Sequence, residues 1–192
     1  MVKTENFEQI EITTANELRD WLAQNHAQKE SIWVITHKKE LKEKYVSKQD
    51  ILDELLCFGW IDGIGRKLDE SRTMLLISQR RAQHWSKSYK DRFAKLEKQG
   101  RITEAGRQAV LVSKEKGLWN FMDDVDALIK PQDFIESLEQ LYPAMNNFDA
   151  IGASSKRFML RYIKIAKTAE TRAQRIAEIT ILAKEGRKLK GS

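Results

Sequence analysis

The chain has 192 residues, 41% hydrophobic and 32% charged, with a formal net charge of +6. That suits one domain of ordinary size, or one with a small appendage, and the apolar share excludes global disorder. No apolar run approaches the roughly 20 residues of a membrane helix, and the lone Cys57 excludes a disulfide framework and a multi-cysteine zinc site.

In chain order, Met1–Glu5 shows no apolar h-region, so no signal peptide is expected and a reducing cytoplasm is the expected location. Phe7 to Ile12 alternates weakly, as a short edge strand does. Thr14-Ala15-Asn16-Glu17 fits a capping box, and Leu18, Trp21 and Leu22 repeat at helical spacing, which predicts an amphipathic helix over residues 14–26. Ser31 to His37 is rich in β-branched and aromatic residues, a strand signal. Lys38 to Lys44 reads as an exposed loop. Ser47 caps a second helix through about Phe58, with Ile51, Leu52, Leu55 and Leu56 inward.

Gly59 to Gly65 and Thr73 to Ile77, separated by Arg66 to Arg72, predict two strands joined by a polar turn near Asp69 to Ser71. Ser86 is a candidate N-cap for a helix ending at Gly100, with Tyr89, Phe93 and Leu96 on one face. Thr103 caps the next, whose apolar stripe is Ile102, Ala105, Ala109 and Val112 and whose terminator is Gly117. Asp123 to Asp126, followed by Lys130-Pro131, reads as a linker. Beyond Pro131 the pattern is helical. Phe134, Leu138 and Leu141 form one stripe. Phe158, Met159, Tyr162, Ile163, Ile165 and Ala166 form another, opposite Arg157, Arg161 and Lys164. Thr168 caps a last helix with Ile176, Ile179 and Ala183 inward and Gly186 as its stop. These elements imply an α+β fold: a small, mainly antiparallel sheet with packed helices over residues 1–122, then an all-helical part over 131–192.

Charge is segregated along the chain. Residues 64–101 carry 11 basic and 4 acidic side chains, and residues 150–192 carry 11 and 3, while residues 1–63 and 102–149 are net acidic. Such blocks either pair within one molecule or make a basic face for nucleic acid, anionic lipid or another polyanion. Arg157, Arg161 and Lys164 are the candidate polyanion face.

Leu56 to Gly63 is the most informative segment. Two glycines flank Trp60-Ile61-Asp62, and a carboxylate beside an apolar wall suits acid–base work. Equally, Asp62 fixes the hairpin by accepting backbone N–H bonds or pairing with Arg66, Arg80 or Arg81. Arg80-Arg81 ahead of the helix at Ser86 suits an anion, or an internal ion pair with Asp62, Asp69 or Glu70. Cys57 has no nucleophile signature and reads as a small buried hydrophobe. Gly63-Ile64-Gly65 lacks the third glycine of a phosphate loop, and His26, His37 and His84 share no metal-ligand spacing. Neither a metal nor a cofactor is expected.

Cys57-Phe58-Gly59-Trp60-Ile61-Asp62-Gly63, Leu68-Asp69-Glu70, Arg80-Arg81, Trp85-Ser86 and Gly100 to Gly106 occur in the order of the YdeI/OmpD-associated, or bacteriocin-protection, family, which the chain resembles. Tyr162 to Lys167 and Glu170 to Ala177 are similar to its ending. Gln79 and Ala169 stand where the family usually has proline. The resemblance covers most of residues 14–190 and implies a bacterial protein tied to tolerance of toxic cationic peptides. It supplies no reaction, and fold analogy does not convert a phenotype into chemistry. Three functions follow as expectations. One is a non-enzymatic binding protein for a small anionic ligand or a protein partner, with a cleft of Trp60, Asp62, Arg80, Arg81 and Trp85. The others are an enzyme using Asp62, and a polyanion binder. The absence of a full catalytic constellation favours the first.

Overall fold

The computed structural model describes residues 6–81 and 83–191; Met1–Glu5, read for a leader, lies outside them. The chain divides into two compact units, Met1–Asn120 and Phe121–Ser192.

The first unit is α+β. Strand β1 (Gln9–Glu11) leads to helix α1 (Ala15–Asn25), β2 (Ile32–His37) and α2 (Lys48–Cys57). The hairpin β3 (Trp60–Lys67) and β4 (Arg72–Gln79) follows, then α3 (Lys87–Lys98) and α4 (Glu104–Glu115). The sheet order is β1-β2-β4-β3, antiparallel except that the short edge strand β1 runs parallel to β2. Ile32, Val34 and Ile77 share one face by register and join the core formed with Leu18, Leu22, Leu55 and Leu56 of α1 and α2.

Local chemistry explains the boundaries. Thr14 Oγ1 accepts from the Glu17 N–H at 3.2 Å, and the Glu17 carboxylate reaches back to the N–H of Thr13 at 2.7 Å, one residue ahead of the cap. Ser47 Oγ caps α2 from Asp50 N at 3.1 Å. Gly59 turns with φ +72°, which an L side chain rarely adopts. The inward stripe of α4 is Gly106, Val110 and Ser113, rotated by one residue from the expected Ala105, Ala109 and Val112, which are half-buried. Close approach decides this: a Cβ on Gly106 would lie 2.4 Å from the Cys57 carbonyl oxygen. Glycine lets α4 press on the end of α2, where Thr103 also donates to that oxygen at 2.7 Å.

The second unit is helical: α5 (Asp123–Asp126), α6 (Gln132–Glu139), α7 (Ala144–Ala150), α8 (Ala153–Lys164) and α9 (Ala169–Lys184). Asp123 to Asp126, expected as a linker, is therefore a helical turn of this unit, anchored by buried Val125. Helix α9 packs on α6, α7 and α8. Phe134 and Phe148 meet edge to face at 5.0 Å in the core. On α8 the buried side chains are Ser155, Met159, Leu160 and Ile163. Phe158 and Ile165, placed inward by the sequence pattern, are exposed; the helix ends at Lys164, so its period does not carry Ile165 inward.

Candidate functional site

The hairpin and the turn into α3 position the five residues nominated from sequence. Trp60 is fully buried: its indole N–H donates to the His26 carbonyl at 2.9 Å, and its ring meets Trp21 edge to face at 5.7 Å. Trp85 is equally buried, 4.9 Å from Trp119 and 6.1 Å from Phe93 between ring centroids. Both tryptophans are core. Asp62 accepts from the Tyr89 hydroxyl at 2.6 Å and faces Lys48 Nζ at 3.3 Å. Burial, then the bond to Asp62, pushes the Tyr89 phenol upward, so it stays a donor at neutral pH.

Arg80 is also buried. Its guanidinium stacks over Trp85 at 4.0 Å and lies 5.1 Å from the Tyr89 ring, yet none of its three nitrogens has a hydrogen-bond partner among the described residues. Burial draws its pKa down to about 10, which leaves it charged at neutral pH. Arg81 is exposed and donates to the Lys29 carbonyl at 2.7 Å. Thus buried Arg80 and Trp85 and half-buried Asp62 and Tyr89 form one contiguous arrangement, with Trp60 in the core beside Trp21 and Arg81 at the surface.

A separate groove opens beside it, and none of the five lines it. It encloses about 580 Å³ between the loop after β2, the start of α2 and the turn end of the hairpin. Lys38, Lys39, Lys48, Arg66 and Lys67 line it, with Glu40 as the one carboxylate in the lining. Val46, Ile51, Met74 and Leu75 give it apolar surface, and Tyr45 adds an aromatic ring. Lys48 belongs to both sites, because it lines the groove and also faces Asp62. Sequence reasoning missed this groove by treating Lys38 to Lys44 as a solvated loop. The available signal was the register: β2 and the β3–β4 hairpin end together, which brings two basic segments to one end of the sheet.

Cys57 is buried, and burial followed by the nearby Glu54 charge raises its thiol, which disfavours the thiolate a nucleophile needs. Glu54 is itself 3% exposed and is held by Arg19 at 2.8 Å and Arg101 at 2.5 Å. Among the described residues no group of three or more His, Cys, Asp or Glu is placed to hold a metal ion. No helix among them is long and apolar enough to cross a membrane.

In the second unit the nominated basic side chains are largely engaged. Lys164 pairs with Asp124 at 2.5 Å and lies over Phe121, and Arg157 Nε donates to the Asp126 carbonyl at 3.2 Å. Arg161 remains exposed. Lys164–Asp124 and Arg172–Asp133 are ion pairs between the later basic block and the acidic stretch before it.

Residues 10–109, just over half of the chain, match the family model of a domain of unknown function, DUF8412. The chain belongs to that family. Residues 127–186 match the model described as bacteriocin-protection, YdeI or OmpD-associated, so the C-terminal part is a YdeI/OmpD-associated domain, as the resemblance implied. Residues 57–106, which carried part of that resemblance, fall instead in the DUF8412 match. No curated protein and no solved structure matches the chain. The groove and the Asp62 arrangement both lie in the DUF8412 part, and Arg157, Arg161 and Lys164 lie in the YdeI/OmpD-associated part.

Proposed function

We propose that the protein is a non-enzymatic binding protein of the cytoplasm whose DUF8412 unit holds a small anionic ligand. Its service is bacteriocin protection, the role named in the description of the family matched by its second unit. One observation carries the ligand reading: five cationic side chains and a single carboxylate line a groove of about 580 Å³ that also has apolar walls. That volume falls in the range of small-molecule sites, and mixed apolar and charged walls are what such sites offer. Asp62 supports binding over catalysis. Both of its oxygens are engaged, by Tyr89 and by Lys48, which suits a structural junction.

Calorimetric titration of the full chain with phosphate, citrate and a nucleoside monophosphate at low salt tests this reading. The expected result is saturable binding of at least one anion, weakened about tenfold or more in Lys39→Glu/Lys67→Glu, a loss of about 1.4 kcal/mol or more. Arg81→Glu, outside the groove, leaves that binding intact. No binding of any anion overturns the proposal.

A further inference from the structure

The turn of the hairpin engages two of the groove's cations. Asp69 accepts from the N–H groups of Ser71 and Arg72 at 2.8 and 2.7 Å and from Arg72 Nε at 2.7 Å. The Arg72 side chain and the Ser71 N–H hold its carboxyl well below the usual range. The turn is thereby braced, and its next residue points away: the Glu70 side chain is 92% exposed. Two groove lysines nevertheless converge on it. Lys38 Nζ donates to the Glu70 backbone carbonyl at 2.7 Å, and Lys67 Nζ pairs with the Glu70 carboxylate.

Resting on the groove reading, we propose that the ligand is a phosphate monoester whose dianionic group is taken by Lys38 and Lys67, and that Glu70 is its internal competitor. Three observations carry this. With Asp62 facing Lys48 and Glu70 facing Lys67 from beyond the lining, its five cations still outnumber the carboxylates that meet them, so the groove keeps positive charge. Two ammonium groups meet at one residue, which suits a group that accepts from several donors at once. The carboxylate already there is solvent-exposed on a braced turn, and an exposed ion pair of this kind contributes little, so a dianion displaces it at small cost. The apolar walls and Tyr45 accommodate the organic part of the ester.

The test is calorimetry on the full chain with AMP, inorganic phosphate, adenosine and citrate as probes, on wild type, Glu70→Gln and Lys67→Gln. AMP is expected to bind more tightly than phosphate, and adenosine not measurably. Glu70→Gln should bind AMP about three- to fivefold tighter, the scale of removing one charge a few ångströms from an anion in water. Lys67→Gln should bind more weakly, and in that background Glu70→Gln should give no further gain. Added salt should shrink all of these differences. Unchanged melting curves for both exposed-site variants confirm that the fold is intact. Citrate binding without AMP or phosphate binding overturns the phosphate assignment and leaves the groove reading standing. AMP binding with no gain in Glu70→Gln overturns the competitor role. Binding of no anion at all overturns the groove reading itself.

Discussion

The hydroxyl of Tyr89 on α3 donates to Asp62 on β3 at 2.6 Å, and Asp62 turns its other oxygen to Lys48 of α2. One carboxylate thus joins an edge strand to two helices. A residue that the sequence offers as an acid–base candidate is, in the fold, a junction between three elements.

Tyr89→Phe removes that bond while keeping the ring beside Arg80. Hydrogen bonds to charged groups are worth about 1.5–3 kcal/mol, so the variant should unfold at lower denaturant by about that free energy. Urea melts followed by tryptophan fluorescence measure it. An unchanged midpoint would show that the junction contributes nothing to stability.

Arg80→Met should raise stability. The guanidinium is buried without a hydrogen bond to any described residue, and its stacking on Trp85, worth about 2 kcal/mol when desolvated, offsets only part of the desolvation cost. Methionine keeps an unbranched apolar stem and removes the charge. We expect a gain of about 1–2 kcal/mol in the same melts; a loss would mean that the stacked cation outweighs its own burial.

Gly106→Ala should be harmful although alanine favours helices. The added carbon would lie 2.4 Å from the Cys57 carbonyl, against backbone that cannot swing aside. Overpacking of this kind costs about 1–3 kcal/mol. The matching control is Gly117→Asn: nothing lies within 4 Å of a Cβ there, and asparagine tolerates the positive φ better than most residues.

These residues show what could be read in advance. Capping serines and threonines, the β-branched run of β2 and the glycine stops are local signals, so the α+β class and most boundaries were legible. The face of α4 was not, because Gly106 is inward for its lack of a side chain, and hydrophobic periodicity gives such a position no weight. The groove was hidden for a related reason. Its basic residues are far apart in sequence and meet through strand register, while the tryptophans that looked like cleft walls are large enough to be claimed by the core.

The second unit should lose stability in acid. Arg172 donates to both oxygens of Asp133, at 2.6 and 2.8 Å, and holds its pKa below the ordinary 3.8. The unfolded chain then takes up this proton more readily than the folded one. The contribution is complete above the ordinary value and is lost as pH falls through the lowered one. Because the pair is partly exposed, we expect only about 0.5 kcal/mol. The stability gap between wild type and Asp133→Asn should be constant from about pH 5 to 7 and close as pH falls below the ordinary 3.8. A gap that persists in acid would assign the difference to something other than the ion pair.

The register shift between Asp62 and Gly65 has a consequence for how the molecule meets its own copies. Strand β3 closes the sheet on one side, and an edge strand offers unpaired backbone groups to any passing chain. The irregularity bends that edge out of line, and Arg66 and Lys67 put two positive charges on its exposed end. A second molecule adding a strand there would meet a misaligned ladder and like charge. Among the described residues the sheet has four strands, and this edge of the first unit is guarded against the edge-to-edge pairing that leads to aggregation.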